Sequence, residues 1–270
     1  MANFWDDLAG GWEEWHAFHA ALTAPVTAAL LEAAGVREGM QVLDLACGAG
    51  DPTLALAKRV GPNGWVIGAD GSTLMLKAAA RFAEEEGIEN VEWRQVDVVS
   101  LPFENAAFDA VTCRFGLMFM PRDETLSEVR RVLREGGRFA VAAWGDPAQP
   151  YFSEFDGIIA RFFGWLPPHA GEPGLFQFAE PEVLSRLLSN AGFSDVRATV
   201  LTPALRWPGP PESYVASRLA FAPQLAAALD GLSGEQRTEL SEALLHSARN
   251  RADENGVTFE GSIVVGSGVR

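Results

Sequence analysis

Apolar residues recur along the N-terminal stretch at helical spacing. Trp5, Leu8, Trp12 and Trp15 fall on one side of a 3.6-residue repeat, which predicts an amphipathic helix over 1–22 with an aromatic face. A second helix is expected to follow Pro25, whose fixed φ suits a first turn. From residue 40 the period changes. The short apolar run at 41–46 reads as a strand buried on both faces, and 64–70, 91–96, 108–114 and 138–144 read as further strands. Helical patterns lie between them. One spans 52–59. One starts at the potential cap Ser72 and carries Leu74, Met75, Ala78, Ala79 and Phe82. One carries Leu126, Val129 and Leu133 and is expected to end at Gly136-Gly137.

After Trp144 the rhythm breaks. Residues 146–178, rich in proline, glycine and aromatics, read as an irregular insert. A helix over 180–191, a sixth strand over 195–201, helices over 211–229 and 234–251, and a final strand over 257–269 complete the reading. Regular alternation of strand and helix predicts an α/β fold, a doubly wound parallel sheet with helices on both faces. Such sheets bind ligands beyond the carboxyl ends of their strands.

Composition narrows the function. The chain of 270 residues is 48% apolar, enough for a large core. Its formal charge of −15 argues against nucleic acid as a partner, since that affinity rests on basic groups displacing counterions. It also argues against stable association with an anionic membrane. No Lys or Arg precedes Arg37, so the start lacks the basic region of a secretory signal. The two cysteines, Cys47 and Cys113, form no disulfide framework or zinc spacing. A cytoplasmic location is expected.

The stretch Val42-Leu43-Asp44-Leu45-Ala46-Cys47-Gly48-Ala49-Gly50 runs from a strand into a glycine turn before a helix. Glycines there let a ligand lie against the backbone, and the helix N–H groups attract electron-rich atoms. A dinucleotide fingerprint would place a third glycine at position 53, which is Thr53. That counts against a nicotinamide-dependent oxidoreductase. Asp44, inside the strand, suits a cationic ligand better than a pyrophosphate. Asp70, 26 residues on at the end of strand two, can accept both hydroxyls of a ribose. Asp97, at the end of strand three, can accept an adenine amino group. Three successive strands thus bring an aspartate to one edge.

As a set, Val42–Gly50, Ala69-Asp70-Gly71-Ser72 with Met75, Gln95-Val96-Asp97, Leu101-Pro102-Phe103, Phe108–Val111 and Leu126–Trp144 resemble class I S-adenosylmethionine-dependent methyltransferases. The resemblance spans about residues 25–145. It is nearest to the branch that includes the ubiquinone/menaquinone C-methyltransferases and many small-molecule methyltransferases. It implies a Rossmann-like seven-stranded sheet with a helical cap. The last strand would be antiparallel, with Ser262–Val265 inserted between strands five and six. It also implies S-adenosyl-L-methionine as cofactor, held by Asp44, Ala46, Gly48 and Gly50, by Asp70, Gly71 and Met75, by Asp97 and Val98, and by Arg114 at the methionine end. Ala46 departs from the pattern, since many members have glycine there. The expected organisation is a lid helix over 1–24, a cofactor-binding core over 25–145, and an insert with cap helices and the last two strands of the same sheet over 146–270.

The residues after strand four, Cys113-Arg114-Phe115-Gly116, lack the motif of amino-methylating DNA enzymes and the paired glutamates of protein-arginine methyltransferases. The strand ends also lack an oxygen-ligand set, so no metal is expected. The acceptor is then a small molecule, methylated on oxygen or carbon. Aromatics after strand four and through the insert suit an apolar one. A base, where one is needed, would come from His16, His19 or His169. The alternatives are a quinone or lipid C-methyltransferase and a non-catalytic S-adenosylmethionine-binding protein.

Overall fold

The computed structural model describes residues 2–164, 174–221 and 223–270. Among them the elements run α1 (Ala2–Glu14), α2 (His16–Ala33), β1 (Gln41–Leu45), α3 (Thr53–Val60), β2 (Trp65–Asp70), α4 (Thr73–Glu85), β3 (Val91–Gln95) and β4 (Phe108–Arg114). A 3-10 turn at Leu117–Phe119 leads to α5 (Arg122–Val132), β5 (Leu133–Trp144), α6 (Pro150–Phe163), α7 (Pro181–Asn190), β6 (Ser194–Leu201) and β7 (Ala204–Trp207). The chain then forms α8 (Pro211–Ala220), α9 (Pro223–Asp230), α10 (Gly234–Arg249), β8 (Ala252–Asp253), β9 (Gly256–Glu260) and β10 (Ile263–Val269).

The main sheet has seven strands in the order β3-β2-β1-β4-β5-β10-β6. β10 lies antiparallel between β5 and β6, where the family resemblance places the last strand. The strand order reverses between β1 and β4, the position where open α/β sheets form their ligand crevice. Alternation along the strands builds two cores. Val42, Ala140, Ala142, Ile263 and Val265 face a cluster with α2, α3 and α6. Leu43, Leu45, Phe139, Val141 and Val264 face one with α5 and α7. Every one of these residues is buried, so the apolar runs record burial on two faces.

Several elements differ from the sequence reading. The helix expected over 1–22 is two helices, parted at Trp15, whose φ of −104° and ψ of 13° leave the helical region. Trp15 packs on Phe18 and Trp207 instead of extending the face of Trp5 and Trp12. Pro25 lies inside α2. Its missing N–H is tolerated because it faces solvent while Leu22, Val26 and Leu30 are buried on the other side. α2 therefore runs without a break through residue 24. The insert contains a regular helix, α6, whose Tyr151, Phe152, Phe155 and Ile159 fill the core. α5 stops at Val132, and Gly136-Gly137 fall inside β5, at a shift in its register with β4. The region expected to hold two C-terminal helices holds three. The expected strand over 257–269 is two. β9 joins β7 and β8 in a separate antiparallel three-stranded sheet.

Candidate active site

β1 ends in a turn of left-handed backbone. Ala46 has φ 54°, Gly48 52° and Gly50 106°. Ala46 bears a side chain in a region that disfavours one. Its methyl fits because residue 116 is glycine: a Cβ on Gly116 would lie 2.4 Å from that of Ala46. At Gly50 a Cβ would approach Ala79 of α4 at 3.2 Å, so this glycine serves packing against α4. Around Gly48 and Gly71 the space a Cβ would enter is open, and both line a cavity of about 470 Å³. That size falls within the ~300–1,000 Å³ of small-molecule sites.

Ala46, Gly48, Asp70, Gly71, Met75, Asp97, Val98 and Arg114 share this wall. Asp44 and Gly50 do not line it. Asp44 is fully buried behind the turn, where its two carboxylate oxygens accept the hydroxyls of Thr53 (2.6 Å) and Thr112 (2.7 Å). Burial pushes its carboxyl up to about 6, against the two threonine bonds that favour the charged form. Asp70 takes the backbone N–H of Gly48 on one oxygen and that of Ser72 on the other, each at 2.9 Å. It thereby ties β2 to the glycine turn, and burial raises its pKa against those bonds. Helix α4 is capped by Ser72, which accepts the N–H of Met75. Asp97 lies two residues beyond β3, is exposed, and accepts the N–H of Val99 at 3.1 Å.

Arg114, the last residue of β4, lies at the center of a buried network. It pairs with Asp51 at 2.6 Å, donates to the hydroxyls of Thr23 and Thr27 on α2, and donates to the Asp51 carbonyl. Asp51 also lines the cavity. Asp51, Thr23 and Thr27 stand outside the motifs of the sequence. Their one signal was the i,i+4 spacing of Thr23 and Thr27, which puts both on one helix face.

The opposite wall is aromatic. Trp5 and Trp12 of α1 and Phe115 and Phe119 after β4 line the cavity, with Met120, Ala20, His16 and His19. α1 lies along α4, joined by Asp6 to Ser72 and by Glu13 to Arg81. Most aromatics of the insert do not reach the site. Tyr151, Phe152, Phe155 and Phe178 are core residues, as is Met118. His169 lies outside the described residues, and His246 is absent from the cavity wall.

Two open-sided glycines after β1 and β2, acids at the end of β2 and just past β3, and an aromatic cover are a fit for an adenosine cofactor with a cationic sulfur. The model for the ubiE/COQ5 methyltransferase family matches residues 26–171. The chain belongs to this family. A demethylmenaquinone methyltransferase of Staphylococcus aureus (strain JH9) is 37% identical over 179 residues, covering 62% of this chain and 73% of the relative. Among solved structures, the YcgJ protein of Bacillus subtilis superposes with a TM-score of 0.57 at 22% identity, covering 92% of this chain and 98% of that one. The Haemonchus contortus phosphoethanolamine N-methyltransferase 2, solved with S-adenosylhomocysteine, has a TM-score of 0.61 at 18% identity and covers 100% of this chain and 61% of that one. These two share the fold. As a family member, the chain is an S-adenosylmethionine-dependent methyltransferase. Among the described residues, no helix is long and apolar enough to cross a membrane.

Proposed function

We propose that this enzyme moves the methyl group of S-adenosylmethionine to an oxygen or carbon of an apolar small molecule, in the cytoplasm and without stable membrane association. One observation carries the reading: the ends of β1, β2 and β3 share a cavity whose remaining wall includes Trp5, Trp12, Phe115 and Phe119. Asp70 and Gly71 hold the ribose, and Asp97 with Val98 meets the adenine. Ala46, Gly48 and Arg114 line the methionine end, and Met75 packs beside it. Asp44 and Gly50 act from behind, by fixing the turn's shape. A lid over 1–24, a core over 25–145 and a cap over 146–270 share this work, with α1 as the moving part of the lid.

The cofactor, when bound, supplies a methyl already activated for displacement. The chain's own task is to orient the acceptor in line and to exclude water, and a well-oriented pair can gain on the order of 7–11 kcal/mol from positioning alone. Trp5 and Trp12 cover the site for that purpose. The test is transfer of labelled methyl from S-adenosylmethionine to a panel of phenols, naphthols and enols, alongside calorimetry with S-adenosylhomocysteine. Transfer to an apolar member is the expected result. Tight binding of the cofactor with no transfer to any acceptor would leave a cofactor-binding protein. A second reading, a quinone acceptor methylated on carbon, is favoured by the name of the Staphylococcus aureus relative. Labelled methyl on a ring carbon of a demethylated naphthoquinol would select it.

A further inference from the structure

His19 on α2 lines the cavity, yet its Nε2 is buried with no hydrogen-bond partner. Its ring is fixed by three others: Phe221 edge-on at 4.7 Å, Trp12 at 5.0 Å and Trp207 edge-on at 5.5 Å. A buried polar atom without a partner costs free energy that a leucine or phenylalanine here would not. The other charged groups on that side are already engaged, since Asp51 and Arg114 bond each other and the α2 threonines. His16 also has an unpartnered Nε2, but its ring is stacked flat on Phe82 of α4 at 3.8 Å, on the side of the cofactor-binding strands.

Two of the three neighbours of His19, Trp207 and Phe221, belong to the other half of the molecule, and the third, Trp12, is on α1. Helix α2 packs on β4, β5, β10 and β7, away from β2 and β3, and Phe221 closes α8. A cofactor held by Gly48, Asp70 and Asp97 leaves this part of the cavity to the acceptor. Burial, with Arg114 nearby, drives the His19 pKa down to about 3, so the ring is neutral at physiological pH. A neutral imidazole offers one N–H and one lone pair and adds no second positive charge beside a sulfonium.

We propose that Nε2 of His19 accepts a hydrogen bond from a hydroxyl group on the acceptor, which makes the acceptor a hydroxylated apolar molecule and His19 the residue that orients it. This rests on the cofactor placement proposed above.

The test titrates 1-naphthol and 1-methoxynaphthalene into the full-length protein saturated with S-adenosylhomocysteine, for wild type, His19→Phe and His19→Gln. Wild type is expected to prefer 1-naphthol by about fivefold, the worth of one ordinary hydrogen bond. His19→Phe should lose that preference while keeping its affinity for S-adenosylhomocysteine, which shows that the fold is intact. His19→Gln, which keeps a hydrogen-bonding group, should restore it. Equal affinities in wild type, binding of neither naphthalene, a preference that survives in His19→Phe, or one that stays lost in His19→Gln each overturns the proposal. Failure of S-adenosylhomocysteine to bind wild type overturns the cofactor placement, and this inference falls with it. Normal cofactor binding without the naphthol preference overturns the role of His19 alone.

Discussion

Arg114 and Asp51 form an ion pair of 2.6 Å whose side chains are only 7% and 16% exposed. The pair joins the end of β4 to the turn before α3, and two threonines extend it to α2. Three segments distant in sequence are thus locked at the cavity floor.

Breaking a buried pair from one side leaves the other charge without compensation. Arg114→Ala is therefore expected to lower unfolding stability by about 3–5 kcal/mol. Arg114→Lys retains the charge without the planar fork, so it should fall between. Urea unfolding followed by tryptophan fluorescence measures both. A loss below about 1 kcal/mol, the level of an exposed pair, would mean that water reaches the network in solution.

Asp70 bonds two backbone N–H groups and also faces the cavity. Its removal should weaken S-adenosylmethionine binding and loosen the glycine turn together. Each charge-assisted bond lost contributes about 1.5–3 kcal/mol, so Asp70→Ala should bind the cofactor at least about tenfold more weakly. Asp97 is exposed and bonds only within its own turn, so Asp97→Ala should cost less. Calorimetry on the two variants ranks them. Unchanged affinity in Asp70→Ala would assign that carboxylate to holding the turn alone.

Asp44 predicts a pH dependence. Its carboxyl titrates at about 6 in the fold against 3.8 as the unperturbed value. Between these values the folded state holds the proton more tightly than the unfolded chain. The contribution of Asp44 to stability therefore falls as pH rises from about 4 to about 6, then stays constant. At about 1.4 kcal/mol for each pH unit between the two values, the change is on the order of 2–3 kcal/mol. In Asp44→Asn this dependence is absent. The stability of the variant minus that of wild type should rise by that amount between pH 4 and 7, measured by denaturant titration at each pH. A difference that is flat across the range would show that the carboxylate is solvated.

Helix α1 is held by two polar links to α4 and by the Trp5–Phe119 and Trp12–Phe221 contacts. None of its described side chains belongs to the two large cores. Deleting residues 1–14 should leave the sheet folded and cut turnover by about tenfold or more, since water then reaches the site. Trp15 is retained because it packs on Trp207. Hydrogen exchange over residues 2–14 should slow when S-adenosylhomocysteine binds. Full activity in the truncated chain, with unchanged exchange in the intact one, would make α1 a structural cover only.

The family resemblance implied the place of the antiparallel last strand; the strand and helix order of residues 40–144, the glycine turn after β1 and the acid at the end of β2 were legible in the residues themselves. These features are local: a run of apolar residues, a glycine turn and a strand-end acid each leave a mark within a few positions. The tertiary structure decided what each of them touches. Asp44 belongs to the motif, yet its carboxylate turns to Thr53 and Thr112 because both sides of β1 are buried and only those hydroxyls can satisfy it there. Pro25 reads as a helix start, yet packing of Leu22, Val26 and Leu30 carries α2 through it. Tyr151 and Phe152 read as possible pocket walls, yet α6 turns them into the core. The Arg114–Asp51 pair closes 63 residues of chain, and the contact of His19 with Phe221 closes 202. Periodicity reports that a face is buried. Which distant face buries it follows only from the packing of the whole chain.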